Sequence, residues 1–503
     1  MINDIYGNIT KRIESVLKEM IKMIKGSFNK YQLSSELLKA MSLLNFSSPT
    51  KVQEQVIPAV LAQKDIIVKS QTGSGKTAAF AIPICELVDW EENEPQALVL
   101  TPTRELAVQV REDVFNIGRF KRLKVAAVYG QYPFHVQEKE LKQKTHVVMG
   151  TPGRVIDHLE RGTLNTSSIK YLVIDEADEM LNMGFIEQIK TIVASLSKKR
   201  VTLLLSATMP QDIDGLCLEI MKNPIRIEVE EQNSVADRIS QERYHVNLTD
   251  KMQLLRDLTM VENPDSCMIF CNTKQTVDEV YSELVKLNYS CDKLHGGMEQ
   301  RDRLGVMKDF KQGIFRYLCA TDVAARGLDI EDISLVINYD IPHDRESYVH
   351  RIGRTGRVNK LGKAITLVTE NEDKFLTEIH DYIGKEILLK ERPAEVRVQA
   401  SKQEFMAKLN TLPEIKEAKG AQLMTEIMKI HVNAGKKTKM RAVDIVGTLC
   451  SLEGITAADI GIINILDVST FFEILNDKGQ LVLQALQNTP IKGRLRKVSK
   501  ADR

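Results

Sequence analysis

From about residue 33 to residue 390, short aliphatic runs alternate with longer stretches whose apolar positions recur every three to four residues. The runs are Ile66–Val68, Ala97–Leu100, His146–Met149, Leu172–Ile174 and Val201–Leu205, resuming at Met268–Phe270, Tyr317–Ala320, Leu335–Ile337 and Ala364–Val368. A strand that is apolar along its whole length has both faces covered, as in a parallel sheet flanked by helices. The number of runs suits two such sheets, in domains over 27–235 and 236–390, with the polar stretch Glu230–Ser234 marking the break.

The two ends follow other patterns. Ile9, Ile13, Leu17, Met20 and Ile24 lie at helical spacing among lysines and an arginine, which predicts a basic amphipathic extension over 1–26. A helix docked on the body, or an extension from an early start site, is favoured there over a membrane-binding segment. Residues 391–424, with Pro393 and Pro413, predict a partly helical linker. Beyond it the order is strand (Ile427–Val432), helix (Ala442–Leu449), two strands (Gly461–Leu466 and Thr470–Leu475), helix (Leu481–Leu486) and strand (Leu495–Val498). That β-α-β-β-α-β order predicts a small ferredoxin-like, RRM-like α+β domain over 425–503.

At 503 residues, 43% hydrophobic and 27% charged, the chain has the composition of a folded globular protein of two to four domains. The seven cysteines are scattered; Cys267 and Cys271 form the only close pair, so reduced thiols are expected rather than a disulfide framework or a zinc site. No apolar run reaches the roughly 18 residues of a membrane span, and a cytoplasmic protein without membrane partners is expected. The net charge of +1 conceals an asymmetry, because residues 425–503 carry 12 Lys/Arg against 8 Asp/Glu. Attraction for nucleic acid is therefore expected at the C-terminal end.

Candidate chemistry starts after the run Ile66–Val68, where Ser70, Gln71, Thr72, Gly73, Ser74, Gly75, Lys76 and Thr77 precede a helical stretch. Glycines there turn backbone N–H groups around phosphate oxygens at the positive end of a helix, Lys76 adds a point charge for the outer phosphates, and Thr77 offers a hydroxyl to Mg²⁺. Asp175-Glu176-Ala177-Asp178 closes the run Leu172–Ile174, at the edge where open α/β sheets bind ligands. Asp175 suits a magnesium water shell and Glu176 an attacking water. Together the two segments predict a nucleoside triphosphatase centre.

With these motifs in place, residues 28–370 resemble the DEAD-box RNA helicases along their whole motif set. The resemblance implies two tandem RecA-like domains, ATP and Mg²⁺ as cofactors, and RNA-stimulated ATPase activity. Phe46–Gln53 is similar to the adenine-sensing motif, with Gln53 on the base and Phe28 as the upstream stacking aromatic; Asn45 stands where glycine is usual. Thr103 and Arg104, then Thr151 and Arg154, resemble the first domain's RNA-backbone motifs, and between them the usual glycine pair is replaced by Tyr129-Gly130-Gln131. Ser206 and Thr208 resemble the motif that couples hydrolysis to strand separation, through the region of Asp178. In the second domain Ile269–Cys271, Gln300 and Arg303, and Thr321 and Asp322 imply RNA contacts, and Asp329 a ribose contact. Arg354 and Arg357 resemble arginine fingers that stabilise charge on the transferring phosphoryl group.

Residues 425–503 resemble the RNA-binding domain of the DbpA/YxiN branch of that family. This implies docking on a hairpin of 23S ribosomal RNA in precursors of the large subunit, by a protein expected to be a monomer. Lys436, Lys437, Lys439, Arg441, Arg494 and Arg496 are the candidate RNA-facing cations. Strand side chains alternate, so only one of Phe471 and Phe472 faces outward, and recognition by edges and loops is favoured over base stacking on the sheet. The alternative function is an ATP-gated RNA clamp that remodels assemblies without separating strands.

Overall fold

The computed structural model describes residues 28–501, apart from 72, 230–238, 323–332, 357–361, 412, 414 and 416–419. The amphipathic extension over 1–26, Thr72, Asp329 and Arg357 thus lie outside the described residues.

The first sheet comprises β1 (Ile66–Lys69), β2 (Ala97–Leu100), β3 (Val125–Val128), β4 (Val147–Gly150), β5 (Tyr171–Ile174), β6 (Val201–Ser206) and β7 (Ile225–Glu228). Its strands are all parallel and ordered β3-β4-β2-β5-β6-β1-β7. Every residue of β2 to β6 is buried, because helices cover both faces. Two apolar clusters result, one on each side: Val68, Val99 and Val173 point into one with Phe80 and Val110, while Ile67, Leu98, Leu172 and Leu204 point into the other with Ile189 and Leu216.

The second sheet repeats the design with β8 (Ile239–His245), β9 (Cys267–Phe270), β10 (Cys291–Leu294), β11 (Tyr317–Ala320), β12 (Leu335–Asn338), β13 (Gly362–Val368) and β14 (Leu388–Leu389), ordered β10-β11-β9-β12-β13-β8-β14. These are tandem RecA-like lobes. Within the segment read as linker, helix Glu395–Leu409 buries Phe405 in the second lobe's core, with its ring 5.4 Å from Tyr289.

The C-terminal domain is an antiparallel sheet of β15 (Met428–Val432), β16 (Ile460–Ile465), β17 (Thr470–Ile474) and β18 (Val498–Lys500), ordered β16-β17-β15-β18. Helices Ala442–Cys450 and Gly479–Ala485 cover one face through Ile445, Leu449 and Val482. The other face turns Glu473 toward the first lobe, where its carboxylate accepts from Arg119 at 2.9 Å with both side chains buried. Leu423, Ile427 and Leu475 join Ala40, Leu43 and Phe120 in a shared apolar cluster beside that pair.

Candidate nucleotide and RNA sites

The strand order decides which motifs meet. Apart from Phe28 and Phe46–Gln53, which precede β1, the first-lobe motifs follow the C-terminal ends of parallel strands and so line one edge of the sheet. Strands β5, β6 and β1 are adjacent, which brings together Asp175–Asp178, Ser206–Thr208 and the phosphate loop. Strands β4 and β2 are also adjacent, which places Thr151 and Arg154 beside Thr103 and Arg104.

Gly73 and Gly75 hold φ of +83° and +89°, a region that side-chain-bearing residues seldom occupy, and helix Lys76–Leu87 starts immediately after them. Lys76 is buried, and its ammonium donates to the Ser70 carbonyl at 2.8 Å. The hydroxyls of Ser70 and Ser74 lie 3.1 Å apart, and Gln71 Oε1 is buried without a partner among the described residues. Gln53 Nε2 donates to the Gly75 carbonyl at 3.2 Å, while Thr50 Oγ1 donates to the Ser74 carbonyl at 2.9 Å. The helix cap formed by Thr50 and Gln53 is thereby tied to the phosphate loop, and sequence reading missed Thr50's part. Phe28 is fully buried in the lobe's core, its ring 6.1 Å from Tyr31, so no face of it is open to an adenine here. Asn45 adopts φ +60°, in the left-handed region that favours glycine.

Asp175 is buried, which raises its carboxyl pKa, and the Lys76 ammonium works against that shift. Glu176 holds φ +52° at the N-cap position of helix Ala177–Asn182, with no side-chain capping bond. Asp178 anchors the coupling segment: its Oδ2 accepts from the backbone N–H of Ala207 (3.1 Å) and Thr208 (2.8 Å) and from Thr208 Oγ1 (3.1 Å). In return Ser206 Oγ accepts from the Asp178 N–H at 3.3 Å.

Among the residues expected to meet RNA, Thr103 caps helix Arg104–Ile117 by accepting from the Leu106 N–H, and Thr151 stands at the N-cap position of helix Pro152–Glu160 without a side-chain capping bond. Arg104 donates to Gln131 Oε1 at 2.5 Å; Arg154 donates to Gln137 Oε1 at 2.8 Å and to the Tyr132 carbonyl at 3.0 Å. In the second lobe Gln300 and Arg303 are buried in the first turn of helix Gln300–Lys311. Asp322, expected to face RNA, is engaged by Arg351, whose Nε and Nη2 donate to its two oxygens at 2.5 and 2.6 Å. Arg351 is 1% exposed and also donates to the Asp340 carbonyl and Asn272 Oδ1. This junction of three loops went unseen in the sequence, where Arg351 is one arginine of a run. Arg354 is buried at the same helix end.

In the C-terminal domain Lys436, Lys437, Lys439, Arg441 and Arg494 are exposed and Arg496 is half-buried. Lys492 donates to Asp444 at 3.0 Å and to the Lys439 carbonyl, and so joins the two basic loops into one surface. Phe472 is in the core; Phe471 faces outward, with His431 stacked on it at 4.9 Å. Among the described residues no helix is long and apolar enough to cross a membrane.

Comparison with known proteins agrees with this geometry. Residues 50–216 match the DEAD/DEAH box helicase family, 250–359 the helicase conserved C-terminal domain and 429–500 the DbpA RNA binding domain. The chain is 56% identical over 476 residues to the ATP-dependent RNA helicase DbpA of Bacillus subtilis, covering 95% of this chain and 99% of that one. It is 45% identical over 346 residues to the DEAD-box ATP-dependent RNA helicase CshA of Geobacillus kaustophilus, covering 69% and 74%. Among solved structures, Saccharomyces cerevisiae Dbp5 bound to RNA and ADP BeF3 superposes with a TM-score of 0.68 at 33% identity, over 76% of this chain and all of that one. Strand order, motif placement and these likenesses together make the chain a member of the DEAD-box ATP-dependent RNA helicases, with an RNA-stimulated ATPase core and a DbpA-type RNA-binding domain.

Proposed function

We propose that the chain spends ATP to separate short RNA duplexes, and that its C-terminal domain delivers it to a hairpin of 23S ribosomal RNA during assembly of the large ribosomal subunit. The observation that carries this reading is Asp178, which ties the acidic segment after β5 to the Ser206–Thr208 segment after β6. A shift of the acidic segment on hydrolysis is thereby passed to a second loop. The joined basic loops at 436–441 and 492–496 suit a phosphate backbone read by shape, with positioning contacts rather than base contacts.

In this reading the phosphate loop holds the triphosphate through backbone N–H groups and Lys76, which leaves the Ser70 carbonyl. Gln53 recognises the base, and Glu176 orients the attacking water. Thr77 and Asp175 provide the hard oxygen donors that magnesium takes, and a cation there would offset the desolvation of Asp175. The ion would neutralise charge developing on the phosphates. Arg354 and Arg357 add positive charge to the transferring group. Thr103, Arg104, Thr151, Arg154, Gln300, Arg303 and Thr321 hold the RNA backbone, and the protein acts as a monomer in the cytoplasm.

The test places a short duplex beside the ribosomal hairpin and follows strand release with ATP. Release that depends on residues 425–503 is expected. Hydrolysis without release would make the protein an ATP-gated clamp.

A further inference from the structure

Two large aromatic side chains stand exposed on the first lobe, Trp90 at 45% and Tyr132 at 40%, and the sheet places them at opposite edges. Trp90 precedes β2, and Arg122 and Lys144 lie over its ring at 5.6 and 5.1 Å. Tyr132 follows β3, at the edge where Arg104, Thr151 and Arg154 stand, and its ring lies 5.5 Å from that of Tyr129. Strand β3 pairs with β4 along its whole length, and the Thr151 N–H donates to the Val128 carbonyl at 3.1 Å. The loop carrying Tyr132 therefore runs beside the one carrying Arg154.

The backbone under this ring is held from two directions. Tyr132 precedes Pro133, which restricts it to extended conformations, and the Pro133 carbonyl accepts from the Val136 N–H at 3.1 Å as helix Phe134–Leu141 begins. The Tyr132 carbonyl accepts from Arg154 Nη1 at 3.0 Å, and the same nitrogen donates to Gln137 Oε1 at 2.8 Å, while Nε donates to Asp157 at 3.1 Å. Gln137 is 1% exposed and donates in turn to the Tyr129 carbonyl at 3.0 Å. The Tyr132 main chain and the Arg154 guanidinium are thus fixed against each other, and Arg154 Nη2 has no protein partner among the described residues. Phe134 offers no comparable surface, because His158 stacks on it at 4.2 Å and the Arg161 guanidinium lies 4.3 Å from its ring centre. An exposed ring on a stiff loop beside a cation has what a nucleobase needs, since every base presents a π-face and its phosphate lies within reach of the charge.

We infer that Tyr132 stacks on a base of the bound single strand, beside the phosphate that Arg154 holds. The inference rests on the reading of Arg154 as an RNA contact. It adds a contact with a base face, indifferent to base identity, to a lobe whose other assigned RNA contacts are with the sugar-phosphate backbone.

The experiment uses the full chain with ADP–beryllium fluoride and two fluorescent strands of equal length without the ribosomal hairpin: a single-stranded RNA and an abasic ribose-phosphate oligomer. Wild type, Tyr132→Phe, Tyr132→Ala and Arg154→Ala are compared. Tyr132→Ala is expected to weaken RNA binding about five- to a hundredfold, the range of one lost stacking contact, and to leave abasic binding unchanged. Tyr132→Phe keeps the ring face and should bind both strands within about twofold of wild type. The melting temperature of Tyr132→Ala should stay within about 2 °C, as for an exposed side chain. An unchanged RNA affinity in Tyr132→Ala, an equal loss on both strands, or a loss in Tyr132→Phe that matches Tyr132→Ala overturns the stacking role. If Arg154→Ala binds both strands like wild type, the reading of Arg154 fails first and the inference falls with it. If Arg154→Ala loses on both strands while Tyr132→Ala loses on neither, the inference falls alone.

Discussion

Asp178→Asn tests the link between the two loops of the first lobe. The carboxylate accepts on both oxygens: Oδ1 from the Glu179 N–H at 3.2 Å, and Oδ2 from Ala207 N–H, Thr208 N–H and Thr208 Oγ1. An amide has one acceptor. With its carbonyl toward Ala207 and Thr208, its NH2 confronts the Glu179 N–H; turned over, it confronts two backbone donors. The cheaper orientation still loses one charge-assisted bond at a buried site, a cost of about 1.5–3 kcal/mol. For a lobe of this size each kcal/mol lowers the melting temperature by about 2–4 °C, so a fall of about 3–12 °C in the first lobe's transition is expected by calorimetry. Because the lost bonds join the acidic segment to the Ser206–Thr208 segment, duplex separation should fall further than RNA-stimulated ATPase. A melting point within about 1 °C of wild type, with both activities reduced in equal proportion, would refute the argument.

Glu176→Gln should keep ATP and RNA binding while turnover falls by about a hundredfold or more, the scale of losing a positioned proton acceptor; near-normal turnover removes Glu176 from the chemistry. Gly75→Ala would place a Cβ 2.6 Å from Gln53 Nε2 at a φ of +89°, so strain of about 1–2 kcal/mol is expected at the phosphate loop. Nucleotide titration should then show roughly tenfold weaker ATP binding. Burial alone would raise the carboxyl of Asp459, but hydrogen bonds from Asn476, Lys478 and Thr456 outweigh it and hold the group well below the usual carboxylate range. A depressed folded-state pKa contributes stability that is present above the unfolded value of about 4 and is lost as pH falls through the folded one. Asp459→Asn should therefore speed hydrogen exchange in β16 and β17 at pH 7, and the difference from wild type should shrink below about pH 4.

Nine of the fourteen described strands were legible because strands buried on two faces are apolar throughout, whereas β3 and the partly exposed β7, β8, β10 and β14 were not; the two sheets share one strand order. The residues absent from the sequence reading act through partners far along the chain. Arg351 reads as one of several arginines in a run, yet burial against Asp322, Asn272 and Asp340 makes it a junction inside its lobe. Phe28 matches an aromatic spacing but packs inward, because Tyr31 and the first helices enclose it. Positive-φ positions lie between these cases. Asn45 and Gln131 both hold positive φ, +60° and +55°, in the region that favours glycine.

Sheet order is what the sequence withheld, and it decides which motifs meet. Along the chain, phosphate-loop, RNA and acidic motifs alternate; across the sheet they separate, with β4 and β2 on one side and β5, β6 and β1 on the other. The boundary falls between β2 and β5, where Leu100 lies opposite Ile174. There the Asp175 N–H donates to the Leu100 carbonyl at 3.0 Å, three residues before Thr103. In the proposed function a shift of the acidic segment is passed to Ser206–Thr208 through four bonds at Asp178, while Asp175 stays tied by its N–H to the end of the β2–β5 ladder. The bonds at Asp178 lead to the loop assigned to coupling, which is why substitution at Asp178, rather than in β2, is expected to separate hydrolysis from strand release.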